Sequence, residues 1–276
     1  MLNKTVQRTY IYNGHGHALS GHITQPFDHQ IDVQAGMSLP TTGGIGQSRV
    51  ENFRFREYVS FTAGYTYVAG SESSPGTFTT LVTAVVENLN ILDVVTADRV
   101  VARLASHYSL DEGKRHKPNK EKRHKLDDEE PHITLLGSKI ENLKISGCPV
   151  HLEFEDDLFL RLNTFETLKK EFDGNAAFRK MAADPFVATQ PRVPVDPCGV
   201  FLCSLVKDIK IINCPEVKPV GHAFEVPEFG RVYIGEVIAE RCKRTVTMLR
   251  IQMGCSISGN TTVVQTMSNG RPYPPS

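Results

Sequence analysis

Three histidines come closest to a chemical constellation in this sequence. His15, Gly16 and His17 are followed after a short gap by His22. On an extended strand His15 and His17 point to one face. A turn near Ser20-Gly21 would fold His22 beside them. Three imidazoles so placed suit zinc or copper. No H-E-x-x-H or other second element accompanies them, so the competing picture is adopted: glycine-flanked histidines on an exposed strand, with no metal and no cofactor. His151, Glu153 and Glu155 share one face of a strand and lead into Asp156 and Asp157. That pattern fits an acidic cleft or a calcium site, but a solvated strand face explains it equally, and is preferred. A nucleophile elbow of the G-x-S-x-G type is absent. Gly43-Gly44-Ile45-Gly46 lacks the downstream Lys of a phosphate loop and reads as a flexible link. No catalytic residue is assigned.

The elements that would hold such groups are mostly strands. The chain has 276 residues, 40% apolar and 22% charged, with equal numbers of basic and acidic side chains. That length buries a large core without metal or disulfide. Without a basic excess, a nucleic-acid partner is not expected. There is no Trp, so any aromatic platform would use Tyr or Phe. No apolar run reaches the length of a membrane span. Met1 to Arg8 lacks the apolar stretch of a secretory signal, so the protein is expected to stay inside the cell or to have lost a leader. All six cysteines (Cys148, Cys198, Cys203, Cys214, Cys242 and Cys255) lie in the second half, with no C-x-x-C pair. They read as small core residues, with disulfides expected only on export.

Along the chain, Tyr10 to Thr24 reads as two short strands and Gln34 to Gln47 as loop. From Arg49 alternation is clear at Phe53, Phe55, Tyr65 and Tyr67. Thr77 to Ser109 has neither Gly nor Pro. Its part from Asp93 to Ala105 also fits helical spacing, but β-branched residues favour strand. Asp111 to Glu130 is a charged block read as a solvated, mobile excursion. One helical excursion is expected around 163–182, with Asn163 capping, Glu166 as its reciprocal partner and Phe165, Leu168 and Phe172 as the buried stripe. Pro185, Pro191, Pro194 and Pro197 mark an extended loop. The whole, 1–276, reads as a single mainly-β domain. A possible subdivision falls at 1–160 and 198–276, joined by 161–197.

An internal repeat is the most informative feature. Val50-Glu51-Asn52-Phe53-Arg54-Phe55 returns as Val86-Glu87-Asn88-Leu89-Asn90-Ile91 and as Ile140-Glu141-Asn142-Leu143-Lys144-Ile145. A weaker copy is Val206-Lys207-Asp208-Ile209-Lys210-Ile211. Apolar residues at the first, fourth and sixth positions break alternation once, at the Asn or Asp. A strand that bends there keeps both apolar sets on one core. Asn and Asp suit the bend because they tolerate the left-handed region and bond to nearby backbone. Asn52, Asn88, Asn142 and Asp208 are therefore expected at equivalent bends in strands, at least two of them stacked on neighbouring strands, in stacked sheets, a β-solenoid-like stack or a sandwich.

The stretch V-E-N-L-N-I-L-D-V-V-T-A-D-R-V-V-A-R-L resembles a segment of bacterial choice-of-anchor proteins of the P type, and S-K-I-E-N-L-K-I-S-G-C-P-V is similar to the unit that follows it there. Gly230 to Val237 and Thr247 to Arg250 also fit. The resemblance covers about residues 45–155 and 225–275. It implies a secreted or surface β protein and transfers no site. Together with the repeat it leads to a non-enzymatic structural, surface or assembly protein of a bacterium, self-associating or bound to other proteins. The alternative is a polysaccharide-active enzyme on a β-helix or sandwich scaffold.

Overall fold

The structure, a computed structural model, describes residues 9–109, 130–181, 200–254 and 256–273. The charged block up to residue 129, the prolines of 185–197, Cys198 and Cys255 lie outside the described residues. In chain order the strands begin with β1 (Thr9–Ile11), β2 (Gly14–Gln25), β3 (His29–Gln34) and β4 (Met37–Ser38). Four long strands follow: β5 (Gly44–Phe55), β6 (Val59–Ser74), β7 (Thr77–Ile91) and β8 (Val95–Ser109). Then come β9 (His132–Thr134), β10 (Lys139–Glu141), β11 (Lys144–Ile145) and β12 (Cys148–Phe154). Helices α1 (Asp156–Arg161), α2 (Phe165–Gly174) and α3 (Ala176–Met181) interrupt the pattern. The last group is β13 (Phe201–Ser204), β14 (Val206–Ile211), β15 (Lys218–Val220), β16 (Ala223–Val226), β17 (Gly230–Glu240), β18 (Lys243–Gly254), β19 (Ser258–Ser268) and β20 (Arg271–Tyr273).

Among the described residues these strands form two nine-stranded antiparallel sheets and a short β1–β20 pair. The first sheet runs β14-β12-β11-β8-β7-β6-β5, with β9 and β10 also on β8. The second runs β15-β16-β17-β18-β19-β2-β3, with β13 on β17 and β4 on β2. β2 and β19 lie face to face on β6, β7 and β8. The β2–β19 pairing joins the two ends of the chain in one sheet, across the division suggested at 160–198. Among the described residues no closed barrel is formed. The mainly-β expectation holds, in the form of two antiparallel sheets.

The apolar side chains between the sheets set the core, and small residues set its thickness. Gly14 and Gly16 face inward: a Cβ on Gly14 would sit 2.9 Å from a methyl of Val82, and one on Gly16 would sit 3.2 Å from a methyl of Thr66. A hydroxyl bond, Ser106 to Ser268 at 3.2 Å, crosses the gap.

Several expectations need correction. Gly44 to Gly46 is not a flexible link but the start of β5, whereas Asp93 to Ala105 is strand from Val95 onward, as its β-branched residues favoured. The helical excursion begins earlier, at Asp156, and has three segments. Thr164, not Asn163, caps α2. Its hydroxyl accepts from the Thr167 backbone N–H, and Thr167 supplies the reciprocal side chain in place of Glu166. The expected stripe of Phe165, Leu168 and Phe172 is the buried face of that helix.

Candidate functional site

The first sheet holds the repeat in one transverse line. Glu51 faces Ala63 and Phe53 faces Phe61, which sets Asn52 opposite Thr62. The same register arithmetic sets Thr62 opposite Asn88, Asn88 opposite Asp98, and Asp98 opposite Asn142. Asn52, Asn88 and Asn142 have φ of 51°, 53° and 53°, the left-handed region that Asn tolerates better than most residues. Asn88 Nδ2 donates to Thr62 Oγ1 at 2.9 Å, and Asn142 Nδ2 donates to Asp98 Oδ2 at 2.7 Å. The three asparagines thus occupy alternate strands, not neighbouring ones, with Thr62 and Asp98 between them.

From β5 to β8 the strands invert phase together along this line, so the same register holds on either side of it. On β7 the inward set changes from Val82, Ala84 and Val86 to Leu89 and Ile91. On β8 it changes from Val95 and Ala97 to Val100, Ala102 and Leu104. Without the inversion one of each set would face water, and each large side chain so exposed forfeits roughly 1.5–3 kcal/mol. Leu143 and Ile145 are buried, while Phe53, Phe55, Ile209 and Ile211 are half-buried against the same core. The glutamates of the repeat lie on the outer face beside basic partners: Glu51 with Arg49 at 2.8 Å, Glu87 with Arg99 at 3.9 Å and Glu141 with Lys139.

Asp208 departs from the set. Its backbone is not in the left-handed region. Glu153 faces Asp208 while Phe154 faces Val206, so Lys207 is an extra residue and the irregularity is a bulge. Asp208 pairs with Lys210 at 2.9 Å. On the facing strand, Glu153 pairs with Lys207 and His151 is exposed. This face is a lattice of solvated charges, not an acidic cleft.

The second sheet carries the histidines. With Gly14 and Gly16 turned into the core, His15 and His17 stand on the outer face of β2. Burial, then Lys243, pushes the His15 imidazole below its usual value. Burial, then His15, pushes His17 down to about 4, so both are neutral at pH 7. His17 Nε2 bonds the Ser20 hydroxyl at 3.0 Å. His22 is turned to Asp28 instead. Among the described residues no three His, Cys, Asp or Glu side chains converge as a metal site would require.

Sequence reasoning missed the charged group farther along the same face. Glu236, with its side chain 7% exposed, accepts two bonds from Arg250, at 2.6 Å from Nε and 2.7 Å from a terminal nitrogen. The guanidinium lies 3.6 Å over the centre of the Tyr233 ring. His222 Nε2 is 3.8 Å from Glu236 Oε1, too long for a hydrogen bond. Burial alone would raise the Glu236 carboxyl, but the bonds and charge of Arg250, with His222, outweigh it and hold it below its usual range. The signal was a break in alternation at Tyr233-Ile234-Gly235-Glu236. Gly235 has φ of 63°, which lets Tyr233 and Glu236 share the outer face across it.

Two other groups fix the rim. Glu130 accepts from the Phe165 backbone N–H at 2.8 Å, at the start of α2, and from Arg241 Nε at 3.0 Å. Arg244, 1% exposed, donates to the carbonyls of Glu240 and Lys243. Burial pushes its guanidinium down to about 10. An open groove of about 410 Å³ between β15, β16 and the start of β17 is lined by Glu216, Glu225 and Glu228 together with Lys218 and Arg231. Arg231 is 3.9 Å from Glu225. These are opposed charges around an open depression, with no positioned nucleophile.

A family model described as "Domain of unknown function (DUF8256)" matches residues 10–118 and 120–240. The chain belongs to that family. No curated protein and no solved structure matches it. In this DUF8256 chain the matched residues take in the asparagine line, the β2 histidines and Glu236, whereas Arg244 and Arg250 lie beyond them. None of the comparisons bears on the resemblance to choice-of-anchor proteins. No helix among the described residues is long and apolar enough to cross a membrane.

Proposed function

We propose that this chain is a non-enzymatic structural protein that assembles with copies of itself through the side of the sandwich bounded by β3 and β5. One observation carries the reading. The two most exposed large apolar side chains among the described residues, Ile45 at 73% and Val33 at 59%, lie on these two edge strands. A long edge strand offers unpaired N–H and C=O groups to another chain, and proteins that stay monomeric blunt such edges with charge and kinks. On β5 the blunting is confined to one half: Arg49, Glu51, Arg54 and the left-handed Asn52 guard its second part. Gly44 to Ser48, which includes Ile45, carries no charge. The bacterial surface or matrix setting is carried over from the resemblance to choice-of-anchor proteins. The alternative, an enzyme acting on polysaccharide, draws on the three glutamates of the open groove.

Light scattering coupled to size exclusion tests assembly. The wild-type chain is expected to exceed monomer mass as concentration rises, and Ile45→Lys combined with Val33→Lys is expected to return it to monomer. A wild-type chain that stays monomeric throughout sinks the reading. Release of reducing ends from a polysaccharide, lost on Glu225→Gln, would favour the enzyme.

A further inference from the structure

The far edge of the first sheet brings two of the cysteines together. β12 and β14 pair with Val150 opposite Ile211, and the ladder runs one step further through Ile212 N–H to the Pro149 carbonyl at 3.2 Å. Asn213, at φ 56°, then turns the chain back and delivers Cys214 to Cys148. The Cys148 thiol lies 3.9 Å from the carbonyl of Asn213, the residue that immediately precedes Cys214, and Cys214 is the group that acts most strongly on its titration. Both thiols are half-buried. Of the other described cysteines, Cys203 is enclosed in the core and burial pushes its thiol up to about 12. Cys242 lies in the β17–β18 turn.

We propose that Cys148 and Cys214 close into a disulfide that staples β12 to the end of β14. The bridge would tie off a loop holding β12, the three helices, β13 and β14. A low-molecular-weight disulfide such as oxidised glutathione is the oxidant. One protein thiolate attacks it, forming a mixed disulfide and releasing one glutathione thiolate. The second protein thiolate then displaces the other glutathione. Two electrons pass from the protein sulfurs to the small disulfide, and the two protons end on the released thiols. Cys214, then burial, raises the Cys148 thiol above its usual range, so closure quickens as pH rises. That behaviour suits a structural cross-link better than a catalytic thiol, whose thiolate must be present near neutrality. The bridge is independent of the assembly reading.

The test uses the full chain incubated with oxidised glutathione. Titration of free thiols in denaturant is expected to show two of the six lost, and peptide mapping without reduction to recover one cross-linked species joining Cys148 to Cys214. Closing so long a loop is expected to raise the thermal midpoint by roughly 5 °C or more over the reduced chain. Cys148→Ser and Cys214→Ser should each abolish the rise. Six free thiols, a persistent glutathione adduct on either residue, or a link to Cys198 or Cys255 overturns the pairing. A Cys148–Cys214 link that leaves the midpoint unmoved overturns the stapling.

Discussion

Asn88 gives the sharpest test of the phase inversion, because it is exposed and yet sits where the backbone demands most. An exposed polar residue away from special features changes stability by no more than about 0.5 kcal/mol when replaced. Asn88 has φ of 53° and one side-chain bond, to Thr62 at 2.9 Å. Asn88→Gly keeps the backbone free but loses that bond, about 1 kcal/mol. Asn88→Ala loses the bond and also the short polar side chain that eases the left-handed region for Asn, leaving an ordinary Cβ there, about 2 kcal/mol in all. Asn88→Val adds β-branching there and should cost about 3 kcal/mol or more. Urea unfolding at constant m-value reads the series directly. The order Gly, Ala, Val, from mildest to most severe, is expected. Asp208→Ala, at a bulge with no left-handed residue, should stay within about 0.5 kcal/mol. Should Ala prove as mild as Gly, or all three cluster within about 0.5 kcal/mol, the left-handed line does not hold the sheet in phase.

Two further outcomes follow from the same sheets. Leu143→Ala should cost about 2–5 kcal/mol by chemical denaturation, because Leu143 is buried in the shared core, while Glu141→Gln on the outer face should cost under about 1 kcal/mol. His17 titrates near 4 when folded but about 6.5 when unfolded, so the unfolded chain binds the proton first. Its contribution is therefore complete above about pH 6.5 and is lost as pH falls towards 4, roughly 2–3 kcal/mol in total. Melting curves of His17→Gln across that window should be flatter than wild type.

The asparagine line was legible because the first sheet shows its slip to solvent. Asn52, Asn88 and Asn142 lie on the exposed side, where a polar residue costs nothing and its side chain can bond across to Thr62 or Asp98. Asp208 shared the letters but not the conformation, since the same apolar spacing also accommodates an extra residue such as Lys207. Thr164 displaced Asn163 as the cap by a single residue, within the usual uncertainty of helix ends. The charged group of Glu236 and Arg250 was invisible for a different reason. Its members lie fourteen residues apart in sequence, and the break in alternation at Gly235 marks a change of face on β17 without showing that Arg250 meets Glu236 there.

The second sheet makes the same inversion with different letters, and the difference has a physical cause. Leu249 faces both Ile234 and Val263, while Thr247 faces both Glu236 and Gln265. Between those rows Gly235, Met248 and Val264 form a line that continues to Ala18 on β2. Gly235 and Val264 have φ of 63° and 55° there, again on alternate strands. Ala18, Met248 and Val264, however, are wholly buried between the sheets. An asparagine on that line would carry an amide into an apolar interior with no partner, at a cost of about 1–3 kcal/mol. A left-handed valine costs of order 1–3 kcal/mol in backbone strain but recovers most of it by burying its side chain. The two penalties are comparable, and burial decides for valine. One backbone manoeuvre is thus written as a repeated Glu-Asn on the sheet that turns its slip to water, and as unrelated glycine and valine on the sheet that turns it to the core.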